Sequence, residues 1–436
     1  ATTVTMESGA LIDASATDNG KGGTVVLWSD ITNANSVTLV DGSLSAKAGV
    51  NGGDGGQIET SGRFLDVGNH ISVSTKSVHG KDGEWLLDPN DLWIRDPSWS
   101  GYNYSTTGTT QNRVYTAQPA AVGAPGSALV VGAYTMDRGG GVTTVRTDTI
   151  VTALGQGNVR IVASGLINVS TWEASGIANY YINSQTSNRL TLEAGTSITF
   201  EAGAGNKTVN LPNGTLELLA GTTITQGVTQ AGWSINAGTL ILGRCPTCTG
   251  TPSINLSNAN NQISQVQASN IGAISLTSGV GLTVNANGIA SSGAVQLSSS
   301  THINLSGNIN TTGGDINING SDITLQNNLT STASGAAIKL IASGSIFSNT
   351  RSKTISTNGG DVLFAADSDG NGAGNIRSVD STHSLTIDTR AIVGGVKSTG
   401  LTGGGHITFG GGNSSASGYA TGISSTNAEG IRIDQG

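Results

Sequence analysis

Gly272-Ala-Ile-Ser-Leu276, Gly293-Ala-Val-Gln-Leu297, Gly314-Asp-Ile-Asn-Ile318 and Gly335-Ala-Ala-Ile-Lys-Leu340 open four successive segments, and their glycines step 21, 21 and 21 residues. A second apolar pair follows the first in each unit. Ile274 and Leu276 are followed by Leu282 and Val284, Val295 and Leu297 by Ile303 and Leu305, and Ile316 and Ile318 by Ile323 and Leu325. A spacing of two puts both members of a pair on one face of a strand. Two apolar side chains cannot form a core alone, but stacking one 21-residue unit on the next buries them. The pattern therefore predicts an all-β fold, a right-handed parallel β-helix in which each unit is one coil. Backbone groups then pair with the coils above and below, at a rise of ~4.8 Å per coil. About 20 such coils would give a rod on the order of 100 Å long. Glycine and asparagine turn the corners, where φ > 0 is needed.

Working outward, similar units recur with looser spacing. Leu190 and Leu192 with Ile198 and Phe200 resemble Leu216 and Leu218 with Ile224. Near the start come Val25 and Leu27, Val37 and Leu39, Leu65 and Val67, and Ile71 and Val73. Gly360-Asp-Val-Leu-Phe364 and Gly405-His-Ile-Thr-Phe409 repeat the opening phrase downstream. One segment breaks the pattern: from Pro97 to Gly141 the chain holds three of the seven prolines and a local cluster of aromatics. The expected organisation is a β-helix over 1–96, an extra-helical excursion over 97–145 and a β-helix shaft of ~21-residue coils over 146–436. Thr147 as a cap and Gly155 as a stop allow one short helix, and almost no other helix is expected.

Composition narrows the function. The chain of 436 residues carries Lys+Arg 20 against Asp+Glu 28, a net charge of −8, and only 11% charged residues, where about 25% is usual. Glycine accounts for 65 positions, so Ser, Thr, Asn and Gly must carry the surface. An acidic, sparsely charged chain is not a nucleic-acid binder, and helical bundles need Ala, Leu, Glu, Lys and Arg in period. No apolar run is long enough for a transmembrane helix. The start, Ala-Thr-Thr-Val-Thr-Met6, lacks the basic and apolar regions of a signal peptide.

Residues 21–94 are more specific. They contain Gly23-Thr-Val-Val-Leu-Trp28-Ser-Asp30, Gly52-Gly-Asp-Gly-Gly-Gln-Ile-Glu-Thr-Ser-Gly62 and Gly80-Lys-Asp-Gly-Glu-Trp-Leu-Leu-Asp-Pro-Asn-Asp-Leu-Trp-Ile94. This combination resembles the exoproteins of bacterial two-partner secretion systems, the group of filamentous haemagglutinin and the high-molecular-weight adhesins. The phrases at 190–200 and 216–226 are similar in style to that family's shaft. The resemblance implies a secreted or surface-held right-handed β-helix of a Gram-negative bacterium, exported unfolded through an outer-membrane partner transporter. It departs from the family in lacking an evident N-terminal secretion domain, which suggests an interior or mature shaft segment. A neutral-polar chain without distant disulfides suits passage through a narrow pore, and folding outside can proceed coil by coil.

Candidate chemistry is sparse. Cys245-Pro-Thr-Cys248 sits in a loop, without the helix N-terminus of a redox pair or two further ligands for zinc. A small structural disulfide between Cys245 and Cys248 is preferred over either. Asp367, Asp369 and Asn371 stand at positions 1, 3 and 5 of Asp367-Ser-Asp-Gly-Asn-Gly372, as a calcium loop begins, but position 12 is Ser378 rather than Glu. A plain turn is preferred and a weak calcium site is the alternative; no other cofactor is expected. Glu84, Asp88, Asp91 and Asp96 crowd around Arg95, and a general acid–base pair needs two carboxylates on one face. Here a structural role is preferred: the resemblance implies that this phrase closes a coil, with Trp85, Leu86 and Leu87 packing inward while Asp88-Pro89 turns. Trp93 is expected in the core, whereas Trp99, Tyr102 and Tyr104 are candidate glycan contacts. The expected function is a non-catalytic adhesin or extracellular-matrix rod. It would bind host or matrix glycans and proteins, or associate end to end into fibres. The runner-up is a carbohydrate-active β-helix enzyme.

Overall fold

The computed structural model describes residues 1–95, 114–116, 128–130, 143–169, 182–201, 207–227, 233–348, 351–371, 373–378, 384–399 and 403–411. Pro97, Trp99, Tyr102, Tyr104 and Asp96 lie outside them. The chain divides into two units, one of Ala1–Ala220 with Gln226–Ser234, the other of Gly221–Thr225 with Ile235–Gly436.

In the second unit the apolar pairs line up between consecutive windings, as a parallel β-helix requires. Ile254 pairs in register with Ile274, then Val295, Ile316, Ile338 and Val362, each step parallel. The interval along the chain stays close to the sequence repeat and lengthens slightly over the last two steps. A second column runs Leu282, Ile303, Ile323, Ile346. All of these side chains are buried. Burying a Leu or Ile is worth about 1.5–3 kcal/mol, so the columns supply the driving force while the ladders satisfy the backbone.

A third column, absent from the pairwise sequence pattern, closes each winding: Ile289, Ile309, Leu329 and Ile355. Its strands carry one apolar residue and one inward hydroxyl. Ser291, Thr311 and Ser331 are buried, and their hydroxyls donate to the carbonyls of Gly272, Gly293 and Gly314 respectively. A buried hydroxyl with a partner costs little, so Ser or Thr serves as an inward residue here.

The third glycine step, from Gly314 to Gly335, is a coincidence of sequence. Ile316 pairs with Ile338, a register later by a single position than the repeat predicts, which places Ala336 rather than Gly335 level with Gly314. Gly335 instead absorbs the extra residue with φ +72° and open space around it.

The first unit winds the same way with longer turns. Thr3 pairs with Val37, and Val37 with Phe64, both steps longer than those of the second unit. Windings of this length lower the number of coils below that of a uniform short repeat. Leu11–Asp13, Ser43–Ser45 and Ser72–Ser74 form a second side. Thr24–Trp28, Gln57–Ser61, Glu84–Asp88, Asn158–Ala163, Arg189–Ala194 and Lys207–Ala220 form the third. The glycine-rich phrases are its corners. Gly56 lies against the backbone of Gly22 and Gly23, and Gly83 against that of Gly55 and Gly56. Asp54 accepts from the Lys81 backbone N–H at 2.8 Å, and Asp82 from that of Ser77 at 2.7 Å.

Within the segment read as an excursion, Val114–Thr116 and Ala128–Val130 pair antiparallel with one another, apart from the parallel ladders. The parallel ladder resumes at Thr143–Arg146, which pairs with Leu92–Arg95. The single helix among the described residues is Thr147–Leu154. It buries Ile150, Ala153 and Leu154, and Leu154 O accepts from Thr186 Oγ1 and Asn188 Nδ2 at 3.1 and 2.9 Å. It stops at Gly155 as expected, but its start differs. Arg146 is the N-cap and Thr147 is buried inside the first turn, while Gly155 stays right-handed at φ −66°. Packing of the apolar stripe, rather than a side-chain cap, holds this helix.

Candidate functional site

Alternation along the third side of the first unit decides which residues reach the outer face. Val25, Ile58, Trp85, Val159, Leu190 and Leu216 share one inward level. The next level outward is therefore Val26, Glu59, Leu86, Arg160, Thr191 and Glu217. Leu86 thus points outward, half-buried, in register with Glu59 and Arg160; only Trp85 and Leu87 of that phrase pack inward. Trp93 is likewise half-buried on an outer face between the buried Leu92 and Ile94. Both corrections follow from period-two alternation, which lets no three consecutive strand residues face inward.

Five carboxylates, Glu59, Glu84, Asp88, Glu193 and Glu217, share this face with two guanidiniums, Arg160 and Arg189. Arg160 Nη2 donates to Glu193 Oε2 at 2.6 Å and Arg189 Nη1 to Glu217 Oε2 at 3.2 Å. Thr191 Oγ1 donates to Glu217 Oε2 at 2.9 Å, and Ser61 Oγ to Glu59 Oε1 at 2.7 Å. Asp88 has no such donor among the described residues. Burial pushes its carboxyl up to about 6, Glu59 and Glu193 add to the shift, and Arg160 opposes it. Glu84 is also raised by burial, against the pull of Arg160 and Arg189. Trp28, 55% exposed, lies on the same face, in register with Ser61 and through it Asp88. The sequence gives no sign of a large exposed aromatic beside carboxylates, because Trp28 reads there as one more strand residue.

The Asp88 shift has a sign that can be worked out. A carboxyl raised in the folded state takes up a proton on folding between its ordinary value and about 6. Its contribution is fully present below the ordinary carboxylate range and lost as pH rises through about 6. Asp88→Asn is therefore expected to stabilise the protein at pH 8 by about 1–2 kcal/mol, after discounting for partial exposure, and to have little effect near pH 4. Urea midpoints of the two proteins at both pH values check this. Equal differences at pH 4 and 8 would remove Asp88 as the titrating group.

Other predicted residues fall elsewhere. Asp91 is tied to the shaft, accepting from Asn90 Nδ2 and from the Leu166 backbone N–H at 2.8 and 2.9 Å, and the side chain of Arg95 lies outside the described residues, as do Trp99, Tyr102 and Tyr104. Cys245 and Cys248 are joined as a disulfide across 5.3 Å between Cα atoms. Asp367 takes a left-handed φ of +52°. In the same turn Asp369 accepts from the backbone and side-chain nitrogens of Asn371, and Asn371 Oδ1 accepts from the Ala373 N–H. The oxygens of Asp369 and Asn371 are engaged within the turn. Among the described residues no group of three His, Cys, Asp or Glu side chains gathers as a metal site.

The second unit carries a different feature, a shallow trough of about 280 Å³ on the outer face of five consecutive windings. Thr225, Asn255, Ser275, Gln296 and Asn317 form one register-matched row across it. Thr223, Ser253, Ala273 and Ala294 complete the polar and small-residue lining.

The sequence matches no protein-family model and no curated protein.

Proposed function

We propose that the chain serves as the non-catalytic shaft of a secreted or surface-held exoprotein of two-partner secretion type in a Gram-negative bacterium, either presenting adhesive surfaces or joining end to end into fibres. The observation that carries this reading is the unbroken register of successive windings, each hydrogen-bonded to the next. Such a stack has no need of long-range closure, so it can form progressively as chain emerges from an outer-membrane transporter. Linking residues only three apart, the disulfide leaves the chain free to thread extended. The phrases resembling that family fall on the stacked corners of the first unit, where a backbone-on-backbone approach demands them. Low charge leaves a surface of hydroxyls and amides suited to glycans and matrix.

A second reading, an enzyme acting on polysaccharide, is favoured by one constellation: Asp88 raised beside Glu59 and Glu193, with Trp28 exposed on the same face. Two assays separate the readings. Beads coated with the purified chain are expected to adhere saturably to cells or matrix, and anionic and neutral polysaccharides to stay intact in its presence. Depolymerisation that disappears in Asp88→Asn would replace the adhesive reading by the enzymatic one.

A further inference from the structure

We propose that the trough on the second unit is a binding groove for a neutral, unbranched polysaccharide lying along the winding axis, an inference that rests on the adhesive reading and gives it a ligand class. The row Thr225, Asn255, Ser275, Gln296 and Asn317 presents one hydroxyl or amide per winding, in register, at a spacing of ~4.8 Å. An equatorially linked pyranose chain repeats at a comparable length, so successive rings meet equivalent groups.

The chemistry of the lining selects for neutrality. Thr223, Thr225, Ser253, Asn255, Ser275, Gln296 and Asn317 supply hydroxyls and amides, and no lining residue is charged. Hydroxyls and amides both donate and accept, which matches sugar hydroxyls and offers no countercharge to a carboxylate or sulfate. Ala273 and Ala294 leave room in the floor and an apolar patch for the C–H face of a ring.

Four members of the row are also unspent. Elsewhere on this unit surface amides bind one another: Asn285 and Asn287 both donate to Gln267 Oε1, at 2.8 and 2.6 Å, and Ser306 donates to Gln326 at 3.1 Å. Asn255, Ser275, Gln296 and Asn317 make no side-chain hydrogen bond to the described protein. Without an aromatic platform each ring gains little, so affinity comes from repetition along the groove.

The test is calorimetric titration of the whole chain with cello-, chito- and malto-oligosaccharides of increasing length, beside heparin and polygalacturonate. The equatorially linked cello or chito series is expected to bind, and the axially linked malto series is not, with affinity rising with length until about five windings are spanned. Gln296→Ala with Asn317→Ala is expected to weaken that binding by about tenfold or more, and Ser275→Trp, which fills the trough, to abolish it. All three positions face outward, and unchanged circular dichroism and melting confirm the fold. Binding of anionic chains alone, binding of neutral chains that ignores Ser275→Trp, or a chain dimer dispersed by Ser275→Trp would each overturn the groove. Adhesion of coated beads is read in parallel. Adhesion that persists without any neutral-glycan binding sinks the groove alone, whereas wild-type beads that do not adhere sink the adhesive reading itself.

Discussion

Leu297→Ala is expected to destabilise the second unit by about 2–5 kcal/mol. Leu297 is fully buried and stacked in register between Leu276 and Ile318. Removing it leaves a void that the windings cannot collapse into, because their spacing is held by the backbone ladder at ~4.8 Å. The neighbouring outward residue Gln296 provides the control: Gln296→Ala is expected within about 0.5 kcal/mol of wild type. In a stack where each winding touches only its neighbours, the loss is local. Hydrogen exchange should therefore accelerate first at the strands Ile274–Ser278, Val295–Ser299 and Ile316–Gly320. A Leu297→Ala protein with wild-type denaturation and uniform exchange would contradict the column as the source of stability.

That column is legible in the sequence because its period is short and regular. Ile274, Val295 and Ile316 recur at a constant interval, and each sits two positions before a second apolar side chain. The third side is not legible, because Thr311 and Ser331 read as polar surface until their hydroxyls are seen donating to glycine carbonyls inside the winding. Leu86 and Trp93 mislead for the opposite reason: an apolar side chain next to core neighbours looks like core, yet alternation turns it outward. The charged face of the first unit is hidden by irregular winding length. Asp88 meets Glu59 from the winding before it and Glu193 from the second winding after it, and no fixed period connects them. The trough leaves no trace in the sequence because Asn255, Ser275, Gln296 and Asn317 carry no motif; they acquire meaning only when register places them in a row.

Gly56→Val should cost about 3 kcal/mol or more and open the first unit at its corners. A Cβ at this position overlaps the carbonyl oxygen of Gly23 and the backbone of Gly22. Neither obstacle is a flexible side chain. Gly23 O accepts from the Gln57 N–H at 3.0 Å, and Gly56 O from the Glu84 N–H at 3.2 Å, so relieving the clash pulls apart the ladder above and below. Gly83 repeats the same approach on Gly56, which makes the corner a continuous backbone stack and explains why the phrases at 52–62 and 80–94 place Gly where they do. Gly335→Ala separates this effect from ordinary left-handed strain. At φ +72° with open space around it, Gly335 should lose only about 1–2 kcal/mol. Denaturant midpoints of the two variants, with proteolysis mapped over residues 40–90, distinguish them. A Gly56→Val protein as stable and as resistant as wild type would mean that the windings do not approach backbone to backbone at this corner.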